Sequence, residues 1–188
     1  EFRRVLFRSL VKYNFQNSWG WLDSLDRKLL RKIEVVTGDI ADYNLIEKIS
    51  NSCTHIINLA ALIAIPYSYD APRSYFETNT LGTLNLLKAT KKNKIKLLIH
   101  TSTSEVYGSA IYSPIDENHP FQAQSPYSAS KIASDQMCIS YFNSFDTPVT
   151  IIRPFNTYGP RQSSRAIIPT IINQILNKNK KIKIGSIF

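Results

Sequence analysis

Ile95-Lys96-Leu97-Leu98-Ile99-His100-Thr101-Ser102-Thr103-Ser104-Glu105-Val106-Tyr107-Gly108 is an apolar run that empties into a cluster of hydroxyl side chains, and Ser125-Pro126-Tyr127-Ser128-Ala129-Ser130-Lys131 comes a short way on. The apolar run reads as a buried strand, and open α/β sheets gather their ligands at the carboxyl ends of their strands. Tyr127 and Lys131 stand four residues apart, which on a helix puts them on one face. An ammonium beside a phenol favours the phenolate and draws its pKa of about 10 towards the working range of a base. The spacing predicts a Tyr127 made more acidic by Lys131. An exposed amphipathic pair has the same spacing, so the weight of the motif rests on the hydroxyl cluster before it.

Outward from this stretch the chain alternates short aliphatic runs with longer helical ones. Strands are expected at Ile33 to Thr37, His55 to Leu59, from Ile95, and at Val149 to Ile152. Helices are expected at Asp42 to Ser50, Pro72 to Lys92, Ser125 to Phe145 and Ile167 to Asn177, with Leu81, Leu84 and Leu87 forming the buried stripe of the second. This alternation predicts an α/β fold with a doubly wound parallel sheet. No Gly-x-Gly-x-x-Gly occurs; Gly20, Gly38, Gly82, Gly108, Gly159 and Gly185 stand apart from one another.

A chain of 188 residues that is 43% hydrophobic and 20% charged suits one globular domain, and no apolar run reaches the roughly 20 residues that span a bilayer. Cys53 and Cys138 have no metal-type spacing and suit a reducing compartment, so the expected location is the cytoplasm. The net charge of +9 raises an anionic partner. Its clusters, Lys88 to Lys94 and Lys178 to Lys183, sit where helices should end and lack interleaved aromatics, so they read as solvated surface and not as a nucleic-acid site. His55 and His100 read as strand residues packed in the sheet, and His119 as part of a polar loop.

Glu1-Phe2-Arg3-Arg4-Val5-Leu6-Phe7-Arg8-Ser9 is what the end of a common sequencing-library adapter encodes, and residues 1–9 are expected to be non-native. Without them three arginines and one glutamate leave, and the net charge falls from +9 to +7.

The stretches Thr37-Gly38-Asp39-Ile40, Asn58-Leu59-Ala60-Ala61, Asn79 with Gly82-Thr83, Thr103 to Gly108, Tyr127 with Lys131, and Arg153-Pro154-Phe155-Asn156-Thr157-Tyr158-Gly159-Pro160-Arg161 together resemble the extended short-chain dehydrogenase/reductases, the NAD-dependent epimerase/dehydratase family. Tyr13 to Asp23 and Ala60 to Tyr69 are similar to nucleotide-sugar 4,6-dehydratases of the legionaminic-acid type. The resemblance implies a Rossmann-like fold whose first βα unit precedes this chain and whose substrate domain lies mostly after it. Residues 10–188 are then an incomplete NAD(P)-binding domain with the start of the substrate-binding region, which leaves activity of the stretch on its own in question.

By the same resemblance Tyr127 takes the sugar O4 proton, Lys131 activates it and contacts a ribose, Thr103 is the hydroxyl partner and Glu105 removes the C5 proton. Ser104 stands where better-known dehydratases carry an aspartic acid, so it is assigned to holding a water or the C6 oxygen. Asp39 and Ile40 are implied to flank adenine, Leu59, Ala60 and Ala61 to line the pyrophosphate and ribose, and Asn79, Thr101 and Pro154 to lie along the cofactor. Asn156 and Arg161 fall on the substrate side, where Arg161 suits a diphosphate. NAD is the implied cofactor, with NADP the alternative; the partner is a nucleotide sugar, and a homodimer through helices including that of Tyr127 is implied. No metal ligand is assigned. Thr-Ser-Glu also occurs in UDP-glucuronate decarboxylases, which makes decarboxylation the nearest rival chemistry, with C4 epimerisation third. A non-catalytic basic module binding a polyanion is the alternative of another class, motivated by the charge alone.

Overall fold

The computed structural model describes residues 7–164, 166–178 and 181–184. Its chain falls into two units, Glu1–Phe155 and Asn156–Phe188. In the first, β1 (Phe7–Lys12), a 3-10 turn at Gly20–Ser24, α1 (Arg27–Leu30), β2 (Ile33–Gly38), α2 (Tyr43–Ser50) and β3 (His55–Asn58) lead to α3 (Ile65–Asp70) and α4 (Pro72–Tyr75). A π-helical turn at Phe76–Leu81 joins α4 to α5 (Gly82–Lys92). Then come β4 (Leu97–Thr101), a 3-10 turn at Ser104–Tyr107, the long α6 (Pro126–Phe145) and β5 (Val149–Ile152).

Every ladder among the described residues is parallel, as the strand-helix alternation predicts. β1 pairs with β2 from Phe7↔Ile33 to Lys12↔Gly38, and β4 lies between β3 and β5, with His55↔Leu97 and Leu98↔Val149 in register. These form two sheets and not one. The edge of β1 away from β2 and the edge of β3 away from β4 carry no ladder among the described residues, and both strands line one cleft of about 380 Å³ floored by Ile46 and Ile49 of α2 and Leu86 of α5. Of the expected non-native segment, residues 1–6 lie outside the described residues, whereas Phe7, Arg8 and Ser9 pair with Ile33, Glu34 and Val35. Arg8 forms a 2.7 Å ion pair with Glu34 across that ladder.

α1, α2 and α6 begin at side-chain caps. Asp42 accepts a hydrogen bond from the Leu45 amide at 3.1 Å, and Ser125 accepts one from the Ser128 amide at 3.0 Å with Pro126 next in line. The expected helix from Pro72 to Lys92 is present, interrupted by the π turn. That turn holds an extra residue and rotates the helix beyond it. As a result Leu81, of the expected leucine stripe, is 49% exposed and Leu84 half-buried, whereas Leu87 is buried as expected, with Thr83, Leu86, Ala89 and Thr90 completing the buried face of α5. The core is built from Ile40, Ile46, Leu86, Leu87, Leu98 and Cys138, with Ile56, Val149 and Ile151 packed against it. Both cysteines are free thiols.

In the second unit α7 (Ile167–Leu176) leads into a segment held back on it by Gln174, whose side-chain amide donates to the Lys183 carbonyl at 2.7 Å and accepts from its amide at 2.6 Å. Asn179 and Lys180 of the second lysine cluster, and Gly185, lie outside the described residues.

Leu98 is fully buried in the central strand of the three, so Leu98→Ala leaves a cavity that no neighbour can fill. The expected loss is about 2–5 kcal/mol of unfolding free energy, read as a lower urea midpoint with an unchanged m-value.

Candidate active site

β4 ends at Thr101, and the chain turns at once into Ser102, Thr103 and the 3-10 turn. Thr103 caps that turn by accepting the Glu105 amide at 3.2 Å. The Ser104 amide donates to the Pro154 carbonyl at 3.1 Å, and the Ser128 hydroxyl donates to the Glu105 carbonyl at 2.6 Å, tying the turn to the end of β5 and to the start of α6. Gly108 closes the turn at φ +62, and a Cβ there would stand 2.5 Å from the Gln122 carbonyl oxygen. Thr103, Ser104 and Glu105 are thus held by backbone bonds at the carboxyl end of the sheet.

α6 presents Tyr127, Lys131, Asp135 and Cys138 on one buried face. The Tyr127 ring packs edge-on against Tyr75, 6.2 Å between centroids. Burial raises the Tyr127 pKa above its ordinary value; the Thr103 hydroxyl pulls it down, and the Glu105 charge and Tyr75 add to the rise. This corrects the expectation of a phenol made acidic by Lys131. Lys131 is 2% exposed and turns its ammonium to the Thr101 carbonyl at 2.6 Å, so it spends its charge on the strand end and not on the phenol. Burial lowers its own pKa to about 8, against a partial rescue by Asp135 and Cys138.

The other expected cofactor residues fall into two groups. Ile40, Leu59 and Ala60 line the cleft between β1 and β3, with Leu59 74% exposed and Ile40 also packed in the core. Asp39 accepts the Ala41 amide at 2.9 Å and pairs with Lys12 at 3.3 Å; the Ala41 bond holds its carboxyl below the usual value. Asn79, in the π turn, is 1% exposed: its carbonyl oxygen accepts the Leu62 amide at 2.9 Å, and its amide nitrogen donates to the Leu62 carbonyl and the Ser130 hydroxyl. It clamps the segment after Ala61 to α6, a mechanical role that the sequence did not signal. Asn156 and Arg161 are exposed and belong to the second unit.

Sequence reasoning missed a buried charge behind Lys131. Asp135, fully buried, receives the Arg153 Nε at 2.8 Å, and His100 Nε2 stands 3.5 Å from its other oxygen. Arg153 also donates to the Tyr107 hydroxyl at 3.1 Å and lies over the Phe121 ring. The signal was available, because Asp135 continues the Tyr127/Lys131 spacing by one more turn. His119 is buried at 2% and not in an open polar loop; it packs on Tyr107 and Tyr112 and accepts the Ile111 amide at 3.0 Å.

A parallel α/β sheet with a hydroxyl cluster at a strand end, facing a buried Tyr-x-x-x-Lys helix, defines the class of Rossmann-like NAD-dependent epimerases and dehydratases. The family model described as GDP-mannose 4,6 dehydratase matches residues 5–187, and the chain belongs to this family. It is 34% identical over 145 residues to a dTDP-glucose 4,6-dehydratase of Streptomyces antibioticus, covering 77% of this chain and 43% of that one. It is 39% identical over 156 residues to a dTDP-D-glucose 4,6-dehydratase of Dictyostelium discoideum, covering 76% and 36%. Among solved structures, a UDP-N-acetylglucosamine 4-epimerase of Methanobrevibacter ruminantium superposes with a TM-score of 0.81 at 31% identity, covering 90% of this chain and 55% of that one. A dTDP-glucose 4,6-dehydratase of Streptomyces venezuelae solved with NAD bound gives a TM-score of 0.74 at 31% identity, covering 81% and 49%. The chain thus spans about half the length of these relatives, or less.

A lysine whose pKa is lower folded than unfolded destabilises the fold while charged. With Lys131 at about 8 against an ordinary 10.5, the unfolded chain binds the extra proton between those values, and stability rises with pH across that window. Lys131→Met is expected to raise stability at pH 7 by about 3 kcal/mol and to flatten the rise between pH 8 and 10.5, measured by urea unfolding at each pH.

Proposed function

We propose that the protein is an NAD-dependent nucleotide-sugar 4,6-dehydratase, a hydro-lyase that oxidises C4, removes water across C5 and C6, and reduces C6. The observation that carries this reading is the convergence of Tyr127, Thr103 and Glu105 at the carboxyl end of β4, close enough for Thr103 and Glu105 to act in opposite directions on the phenol. Each group then has its own proton to move. Tyr127 takes the O4 proton, with the Thr103 hydroxyl beside it as the hydrogen-bond partner. Oxidation at C4 acidifies the C5 hydrogen, and Glu105 removes it. Ser104 holds the C6 oxygen while Glu105 returns its proton to the departing hydroxyl.

NAD when bound supplies the reversible hydride acceptor. The residues present suit it: Ile40 and Leu59 offer apolar surface in the cleft beside β1 and β3, Asp39 follows the end of β2, and the Lys131 ammonium lies at the end of β4 on the Thr101 carbonyl. NADP is the alternative, because β1 ends in Lys12-Tyr13-Asn14 with no ribose-binding acid. The substrate is a dTDP-, UDP- or GDP-linked hexose or N-acetylhexosamine. In this reading the first unit is the cofactor-binding part, and Asn156 and Arg161 begin the substrate-binding region.

Ser104 in place of an acid keeps a second reading alive, a UDP-glucuronate decarboxylase or 4-epimerase using the same Tyr127 and Lys131. The epimerase among the similar folds supports that variant. The reaction is assigned to the cytoplasm, where two free thiols suit the redox state; no helix among the described residues is long and apolar enough to cross a membrane. A homodimer would use the outer face of α6, where Ile139, Phe142 and Phe145 are exposed.

The gene product incubated with NAD and each candidate nucleotide sugar is expected to yield a product lighter by one water; loss of carbon dioxide or unchanged mass would instead favour the second reading. Glu105→Gln should stop after C4 oxidation and accumulate NADH absorbance, and Tyr127→Phe should abolish turnover while retaining NAD binding by calorimetry. A Glu105→Gln enzyme with normal turnover removes that carboxylate from the mechanism.

A further inference from the structure

Lys131, Asp135, Arg153 and His100 bring two cations, one anion and one imidazole into space closed to water. Lys131 is 2% exposed, Asp135 and His100 are fully buried, and the Arg153 side chain is 14% exposed. Bringing an ammonium that deep is unfavourable unless a charge answers it. On α6 the titratable neighbours of Lys131 are Tyr127 one turn before, Asp135 one turn after, and Cys138. From β4 it meets the Thr101 carbonyl and His100, and from the end of β5 the Arg153 guanidinium reaches the same carboxylate.

The protonation pattern is set by the bonds. Asn58 accepts the Ala60 amide through its carbonyl oxygen at 3.2 Å, so its amide nitrogen faces His100 Nδ1 at 3.3 Å as a donor. His100 is therefore neutral with its proton on Nε2, aimed at Asp135; burial lowers its pKa, which keeps it so. The 3.5 Å spacing makes this an electrostatic contact, and the formed hydrogen bond to Asp135 is that of Arg153. Burial pushes the Asp135 carboxyl up, yet His100, Arg153 and Ser102 together hold it below its ordinary value, so it is ionised. The carboxylate is bonded to Arg153 and stands one helical turn along α6 from Lys131, whose own hydrogen bond goes to the Thr101 carbonyl.

We propose that Asp135 is a positioning residue for Lys131: a buried carboxylate, gripped from β4 by His100 and from the end of β5 by Arg153, that answers the ammonium from one helical turn away and keeps it charged on the Thr101 carbonyl. Arg153 is bonded to the same carboxylate and so competes with Lys131 for its charge. The two residues therefore act on Lys131 with opposite signs, which a purely structural role would not produce. Any consequence for the chemistry of Tyr127 rests on the function proposed above, whereas the effect on Lys131 does not.

The test uses the 188-residue chain with 13C-labelled lysine, the Lys131 Cε resonance being followed by NMR across pH 5 to 11 with exposed Lys28 as the internal reference. Asp135→Asn is expected to lower the Lys131 midpoint by about one unit, a roughly tenfold rise in its neutral fraction at pH 6. Arg153→Gln should move the midpoint the other way, and Asp135→Glu should restore most of the parent value. Circular dichroism checks that each variant is folded. If Asp135→Asn does not fold, Arg153→Gln decides alone: a raised midpoint supports the proposal, and an unmoved or lowered one overturns it. Folded variants that both leave Lys131 unmoved, or shift it in the same direction, overturn it as well. Because no substrate or cofactor is added, a failed dehydration assay and a failed titration result remain separate outcomes.

Discussion

The bond from the Lys131 ammonium to the Thr101 carbonyl is the constraint around which α6, β4 and the end of β5 are arranged. It joins the long helix to the carboxyl end of the central strand of the three at the point where the chain leaves the sheet. A neutral side chain of that length would bury at no electrostatic cost. Lysine does not, and burial lowers its pKa to about 8.

The face of α6 around that charge is polar. The buried face of α6 carries Ser128, Ser130, Ser134 and Asp135 beside Tyr127 and Lys131, where an ordinary amphipathic helix would carry leucines. The serines are bonded to backbone carbonyls, those of Glu105, Tyr127, Asn79 and Ser130, so the face packs tightly without leaving hydroxyls unpaired. Asn79 completes the arrangement by holding the segment after β3 against the same helix. The π turn that carries Asn79 is the local irregularity that makes this reach possible, and it also turns Leu81 outward.

The two sheets divide the labour. β3, β4 and β5 carry the hydroxyl cluster and the Tyr127/Lys131 helix, while Asp39 follows β2, and β1 lines the cleft with Leu59 and Ala60.

The boundaries of β2, α2, β5 and α6 were legible in the sequence because each is bounded by a local signal: Asp42 and Ser125 as caps, Pro126 at a first turn, and short aliphatic runs between polar ends. The order of motifs from Asp39 to Arg161 identified the family for the same reason, since each motif is a contiguous stretch. Two matters were decided only by the tertiary structure. The π turn changed the phase of α5 through a bonding choice that the Pro72 to Lys92 periodicity does not record. The pKa of Tyr127 was set by burial and by where the Lys131 ammonium points, and that direction depends on Thr101, Asp135, Arg153 and His100, which lie on separate elements. Spacing of four residues puts two side chains on one helical face; desolvation and the charges brought in from β4 and β5 determine what they do there.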